Sequence, residues 1–500
     1  MAPGPPLPWR GGRGFRRQPR LHILRPVLLR TPLLLLLTAW SLSWPPSCSR
    51  PAGPAAPPPP ATAATPLPWL DSLLTTSPGL RRHAVGLSLA YADSARPFYD
   101  HHAAQYFVPA STLKLLSFYA ALHLLPDALP SLRYFSRHDT LYFQGTGDPT
   151  FLHPDVPAGR TFAFLATRPE RVLAYCELPT APAYGPGWAW DDYRYYFQPE
   201  RGAFPLYGHT VRFYYTPAVP AQRRRRGRPA RPGRPARLQV RPRAFAPLTA
   251  LAPAPAPGPP QGHVQRALHD NRFLALPAAR RWVDEVPYRP SRALLLRLLG
   301  DTLRRRVVAA TWRPHPSRGD VIRTLPGLPA DTLYRRMLRV SDNFLAEQLL
   351  LMCSTQVGLR DSLSTGRVIR AARRTSLAFL PDAPVWVDGS GLSPLNLLTP
   401  RDLTALLCRL HQEVPEHRLL SLLARGGGPG TLRRRYASRT GPWIWAKTGT
   451  LRHDLNLCGY LRTRSGRLVA FAFLNNNHPT SSWAVRNEVE RVLGQVRRRL

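Results

Sequence analysis

Of the 69 basic residues in this 500-residue chain, only two are lysine, Lys114 and Lys447; the rest are arginine. Arginine holds its charge at any biological pH, whereas a lysine in the right surroundings gives up its proton and acts as a base. The two lysines therefore mark positions where arginine fails chemically or sterically. Lys114 stands in Ser111-Thr112-Leu113-Lys114. On a helix, residues three apart share a face, so the amine reaches the serine hydroxyl. A serine becomes a good nucleophile when a neighbouring base takes its proton. A lysine partly buried near a second cation has the lowered pKa that this task needs.

Lys447 stands in Lys447-Thr448-Gly449-Thr450, within the strand-like run WIWAKTGTL. Glycine in a strand lets another backbone or a ligand approach closely. Such an edge offers a cation, hydroxyls and backbone N–H groups to an acyl substrate that ends in a carboxylate. Between the lysines lies Ser341-Asp342-Asn343, immediately before an apolar helical run. Each motif alone is weak: Asn343 would serve equally as a helix cap, and Lys114 as an exposed helix lysine. Together and in this order they form the S-x-x-K, S-D-N, K-T-G signature of penicillin-recognising serine enzymes.

From about residue 69 to residue 480 the chain resembles the class C low-molecular-mass penicillin-binding proteins. These are the D-alanyl-D-alanine carboxypeptidase/endopeptidases of the penicillin-binding protein 4 type, peptidase family S13. Besides the three motifs, the resemblance includes Gly145-Thr146-Gly147-Asp148-Pro149-Thr150, Gly187-Trp188-Ala189-Trp190-Asp191-Asp192, Asp388-Gly389-Ser390-Gly391-Leu392-Ser393 and Gly430-Thr431-Leu432-Arg433-Arg434. Ser341 follows Ser111 by 230 residues, a gap much longer than in the related class A β-lactamases. The resemblance implies Ser111 as nucleophile and Lys114 as its base. It implies Ser341 as proton carrier to the leaving amine, with Lys447 polarising that hydroxyl. Asn343 would bind the substrate amide and orient Lys114, and Thr448 with Lys447 would hold the terminal carboxylate. The N–H groups of Ser111 and Thr450 would form the oxyanion hole, and Gly449 would belong with Thr448 and Thr450 to the substrate-binding edge. It implies an acyl-enzyme without metal or cofactor, peptidoglycan stem peptides as substrate, and β-lactams as covalent inhibitors. One position departs: relatives usually carry Arg after D-G-S-G-L-S, and here it is Pro394. The preference for a side-chain carboxylate is then relaxed, unless another cation such as Arg401 replaces it. Asp192 is a candidate partner for the amino end of the same side chain. Two alternatives stand beside this reading: a β-lactamase or esterase of the same fold, and a non-catalytic basic wall-binding protein.

The elements that must position these residues follow from pattern and composition. Residues 1–47 read as an export segment: a basic stretch, the apolar Leu33–Leu37, and a small-residue cleavage site at Ser41-Leu42-Ser43. Residues 48–68 are a Pro/Ala-rich linker, and Pro45-Pro46-Ser47 is a poor context for lipidation of Cys48. Strands are expected over His83–Tyr91, Trp443–Leu451, Leu455–Leu461 and Leu468–Asn475. Helices are expected over Ser111–Leu124, Leu295–Leu303, Asp331–Cys353 and Ser482–Arg499. Strands at both ends of the chain with helices between them indicate an α+β catalytic domain, 69–140 and 330–500. By the resemblance this is a transpeptidase/β-lactamase-like domain, an antiparallel sheet flanked by helices. It is split by a mainly β inserted region, 141–329, with an unstructured Arg/Pro-rich segment at 222–262.

The net charge of +40 by itself suggests a polyanionic partner. However, residues 1–50 hold eight Arg and 223–243 ten, with no acid in either. A moderately basic body remains, so an anionic wall or membrane surface is a possible partner and nucleic acid is not expected. After the N-terminus no run of about 18 apolar residues appears. The five cysteines are too scattered for a paired zinc site; Cys353, Cys408 and Cys458 sit in apolar runs as buried thiols or an oxidisable pair. His101 and His102 lie in a strand or turn; adjacent in a strand they would face opposite ways, so no shared metal is expected. The expected location is the periplasm or cell envelope.

Overall fold

A computed structural model describes residues 67–94, 96–180, 182–219, 221, 233–253, 262–315 and 319–500. The expected export segment, Cys48 and nearly all of the linker lie outside these. The chain enters through α1 (Pro68–Thr76), β1 (Ala84–Tyr91), β2 (Pro97–His101), the 3-10 turn Ala110–Leu113 and α2 (Lys114–Leu124). It continues through β3 (Ala128–Arg137), β4 (Thr140–Gly145), α3 (Arg160–Ala166), β5 (Val172–Cys176), β6 (Thr210–Thr216) and β7 (Arg237–Arg241). Next come β8 (Thr249–Leu251), β9 (Val264–Arg266), β10 (Phe273–Ala275), β11 (Trp282–Pro287), α4 (Arg292–Leu303), β12 (Arg306–Ala310) and β13 (Arg323–Pro329). It returns through α5 (Ala330–Val340), α6 (Asn343–Met352), α7 (Thr365–Arg374), α8 (Pro400–Glu413) and α9 (Glu416–Leu422). The last elements are β14 (Ala424–Arg425), β15 (Ile444–Leu451), β16 (Asp454–Arg462), β17 (Leu468–Asn476) and α10 (Ser482–Arg499).

The fold is α+β. Its main sheet runs β14-β15-β16-β17-β1-β2 and is antiparallel throughout. The N-terminal β1 thus closes against the C-terminal β17, from Ala84 opposite Asn476 to Tyr91 opposite Val469. β17 is buried along its whole length, because helices cover both faces of the sheet; its sequence is accordingly an apolar run instead of an alternation. On one face Phe118, Leu349, Leu406 and Tyr460 share a core with α2, α6 and α8. On the other, Leu70 of α1 and Val489 and Val492 of α10 pack against Phe471. No described helix is long and apolar enough to cross a membrane.

The intervening strands form a five-stranded sheet, β12-β5-β4-β3-β13, and two three-stranded ones, β11-β6-β7 and β8-β10-β9. Their core contains Leu173, Phe204, Phe213 and Phe245. Because β3 pairs with β4 and β13, this layer begins at Ala128 and not at 141. The expectation of an unstructured 222–262 is corrected for its described part. β7 pairs with β6 from Arg212 opposite Arg241 to Thr216 opposite Arg237, and β8 pairs with β10. Val240 and Phe245 are buried there, apolar anchors masked in the sequence by the surrounding Arg and Pro. The helix expected over Asp331–Cys353 is two helices, broken where Ser341 takes a left-handed φ of 64° and Asp342 caps α6 by accepting from Leu345 N–H.

Candidate active site

Ser111 lies in the 3-10 turn that leads directly into α2, and Lys114 is the first residue of α2. The Lys114 amine is fully buried and makes three contacts: Ser111 Oγ at 2.8 Å, Asn343 Oδ1 at 2.6 Å and the Ser390 carbonyl at 2.6 Å. The last two partners only accept, so two N–H bonds are committed to them in either protonation state. The third direction points at Ser111. When Lys114 is neutral, its lone pair therefore faces the Ser111 hydroxyl. Burial pushes Lys114 down to about 8, against the upward pull of Asp388, Asp342 and Glu347.

The break between α5 and α6 orients the second motif. Its left-handed residue turns Ser341 toward Lys447, whose amine donates to Ser341 Oγ at 2.8 Å and to the Thr448 carbonyl at 2.6 Å. Burial, and then the Lys114 charge, drive Lys447 well below the ordinary lysine range. Asn343 is held from both ends, accepting from Lys114 and donating through Nδ2 to the Phe197 carbonyl at 2.9 Å.

Two glycines allow the close approach of these elements. A Cβ on Gly449 would lie 2.6 Å from the Pro109 carbonyl oxygen, so only glycine lets β15 pack against the turn that carries Ser111. Gly391, at φ +73°, packs on Ala110, where a Cβ would meet the carbonyl oxygen at 1.9 Å. That loop is organised by Asp388, which accepts from the N–H groups of Gly391 and Ser393 and from Asn396 Nδ2. Trp188 of the intervening region also donates to Asp388, at 2.9 Å.

The resulting cleft holds about 670 Å³ and is lined by Ser111, Ser341, Asn343, Thr448 and Thr450. Asp192 reaches it from the 3-10 turn Trp190–Arg194. Burial first, and then Asp191, raise its carboxyl above the ordinary range. Sequence reading missed the flanking wall, in which Asp342 pairs with Arg336 at 3.1 Å and Arg336 with Asp155 at 2.8 Å. Arg212 continues it between Asp155 and Glu285. Apart from Arg336 and Asp342, six residues apart, these partners are distant in sequence, and no local pattern links them. The Ser390 carbonyl was equally invisible, since any residue presents one.

Arg401 is not a cleft cation. Its guanidinium is held by Asp382, at 2.7 Å from Nε, and it does not line the cleft. His101 and His102 do not face opposite ways: His102 leaves the strand at φ 48°, and the two rings lie 4.2 Å apart. Among the described residues no group of His, Cys, Asp and Glu could hold a metal. Cys176, Cys353, Cys408 and Cys458 are free, buried thiols.

Similarity to known proteins extends over fold and sequence. The crystal structure of penicillin binding protein 4 (dacB) from Haemophilus influenzae superposes with a TM-score of 0.67, covering 86% of this chain and 99% of that one. Sequence identity there is 18%, so the likeness is one of fold. Carboxypeptidase Rv3627c of Mycobacterium tuberculosis is 35% identical over 176 residues, 34% of this chain and 38% of that protein. Carboxypeptidase DacB of Mycolicibacterium smegmatis is 33% identical over 188 residues, 35% of this chain and 40% of that protein. The matched stretch thus spans well under two thirds of these relatives' length. The D-Ala-D-Ala carboxypeptidase 3 (S13) family model matches residues 68–496, and the chain belongs to that family.

Proposed function

We propose that this protein is a serine-type D-Ala-D-Ala carboxypeptidase, with endopeptidase action on D-Ala cross-links, that trims peptidoglycan stem peptides in the cell envelope. The observation that carries the reading is the three-way hold on Lys114, which leaves its lone pair only Ser111 to face. Ser111 Oγ attacks the carbonyl of the scissile bond while its proton passes to Lys114. N–H groups of Ser111 and Thr450 receive the developing oxyanion. Ser341, polarised by Lys447, delivers a proton to the leaving amine as the C–N bond breaks, and the proton taken up by Lys114 replaces it. Thr448 and Lys447 hold the carboxylate beside that amine, Asn343 the substrate amide, and Asp192 the amino end of the stem side chain. Water then cleaves the acyl-enzyme, restoring Ser111 and releasing the shortened peptide. A β-lactam enters the same sequence and stalls at the acyl-enzyme. The domain division fits this reading: the catalytic unit is built from both ends of the described chain, and the intervening region supplies Phe197 and Asp192 to the cleft wall.

The decisive experiment labels the full chain with a fluorescent penicillin and maps the adduct. Wild type should carry it on Ser111, and Ser111→Ala should carry none while keeping its circular dichroism spectrum. Covalent label retained in that variant would overturn the assignment.

A further inference from the structure

A second cavity, of about 550 Å³, adjoins the cleft and shares Thr431, Thr448 and Thr450 with it. It lies past the outer edge of β15, which β14 covers only at Trp445 and Ala446. Thr448 and Thr450 stand opposite Leu457 and Leu455 in the ladder. Opposed residues share a sheet face, and those leucines pack in the core beneath α10. The two threonines therefore project toward α10, whereas Lys447 and Gly449 face the nucleophile. The cleft is thus continuous with this cavity across Thr448 and Thr450.

The cavity is roofed by residues 430–436. That segment is fixed by Thr431 N–H donating to the Arg339 carbonyl at 2.9 Å, and by Glu490 of α10, which accepts from Tyr436 N–H at 2.8 Å and pairs with Arg435 at 3.1 Å. Arg435 is thereby occupied. Arg433 and Arg434 of the roof and Arg486 of α10 are different: all three line the cavity, are exposed, and pair with no described carboxylate. No carboxylate lines this cavity, whereas the cleft is lined by Asp155, Asp192, Asp342 and Glu285. The cleft's acids other than Asp192 are paired with Arg336 and Arg212, whereas the three arginines of the adjoining cavity have no described carboxylate partner.

We propose that this cavity is the subsite for the leaving fragment, and that it selects fragments bearing carboxylates beyond the one next to the scissile bond. On the peptidase reading, from which it follows, the preferred substrate is then a peptide cross-link with an acidic amine-side half, ahead of a stem that releases free D-alanine. Arginine suits this role because its planar fork engages carboxylates two bonds at a time.

The test uses the full chain and three peptides with one acyl half and D-alanine, D-glutamate or D-lysine as the leaving residue. The expected order in kcat/KM is D-glutamate, D-alanine, D-lysine, with about tenfold or more between the extremes and a spread that narrows as salt rises. In R433A/R434A/R486A the ratio of D-glutamate to D-lysine should collapse toward one. In R433K/R434K/R486K, which keeps the charge, most of it should persist. An equal ratio in wild type and the alanine variant would overturn the subsite and leave the peptidase reading standing. Failure of wild type to cleave any of the three would overturn both.

Discussion

In the proposed mechanism the chemistry turns on Lys114, whose surroundings set a pH dependence. An ordinary lysine is neutral in only about one molecule in several thousand at pH 7; one at about 8 is neutral in roughly one in ten. The neutral form is the competent base, and it accumulates as pH rises. The second-order rate of penicillin acylation should therefore climb about tenfold from pH 6 to 7, bend near 8 and level off above it. Lys114→Arg should be slower by about 10²–10⁴-fold, as expected for loss of a general base, and should show no bend. Arginine keeps the charge but accepts no proton, and three contacts of 2.6–2.8 Å leave no room for a guanidinium. Stopped-flow acylation across pH checks both outcomes. A near-wild-type rate in Lys114→Arg would mean that the position needs charge alone. Residue choice by itself makes Lys114 and Lys447 legible as site residues, because the rest of the chain uses Arg for charge.

At the scale of elements, sequence periodicity locates β1, β15, β16 and β17 of the main sheet and the closing helix to within a residue or two, since long apolar strands and an amphipathic helix carry strong signals; the short edge strands β2 and β14 carry none. It fails where one residue overrides the pattern. Apolar spacing continues across Ser341 and so points to one helix, where a left-handed residue makes two. It fails again at β7, where Val240 is the one buried residue of a strand flanked by Arg and Pro. That strand gives a sharp expectation. Val219 and Arg234 pair at the loop end of the β6–β7 hairpin, exchanging hydrogen bonds of 2.8 and 2.9 Å. The chain is therefore already held close at Val219 and Arg234, on either side of that stretch, and loop length costs little. Excising 223–231 should leave penicillin acylation unchanged and stability within about 0.5 kcal/mol. Extending the cut to 243 removes β7, and losing the burial of Val240 alone costs about 1.5–3 kcal/mol. Urea denaturation of the two deletions compares them directly, and equal stability would show that β7 adds nothing to the sheet.

At the scale of the whole molecule, the intervening region and the catalytic unit meet at a buried ion pair behind the nucleophile. Arg201 donates to Glu347 at 3.1 Å and to Thr365 at 3.0 Å, and also to the carbonyls of Pro182 and Tyr184. The other oxygen of Glu347 accepts from the N–H groups of Gly389 and Ser390, both at 2.8 Å. The Ser390 carbonyl in turn receives Lys114. A residue of the intervening region is thus linked through Glu347 and Ser390 to Lys114, the proposed base. Nothing in the sequence announces this, because Arg201 and Glu347 lie 146 positions apart and each is one among many charges. Both side chains are about 1% exposed, so removing one partner strands a charge without solvent, whereas removing both charges together need not. Arg201→Met should cost about 3–5 kcal/mol and slow acylation by loosening the Ser390 loop. In the double variant Arg201→Met/Glu347→Gln, the amide oxygen still accepts from Gly389 and Ser390 and no charge is left buried. That variant should recover most of the stability and much of the acylation rate. Chemical denaturation and penicillin acylation of both variants make the comparison. If the double variant is no more stable than Arg201→Met, the cost lies in the lost contacts of Arg201 with Thr365, Pro182 and Tyr184, and the ion pair is not what joins the two regions.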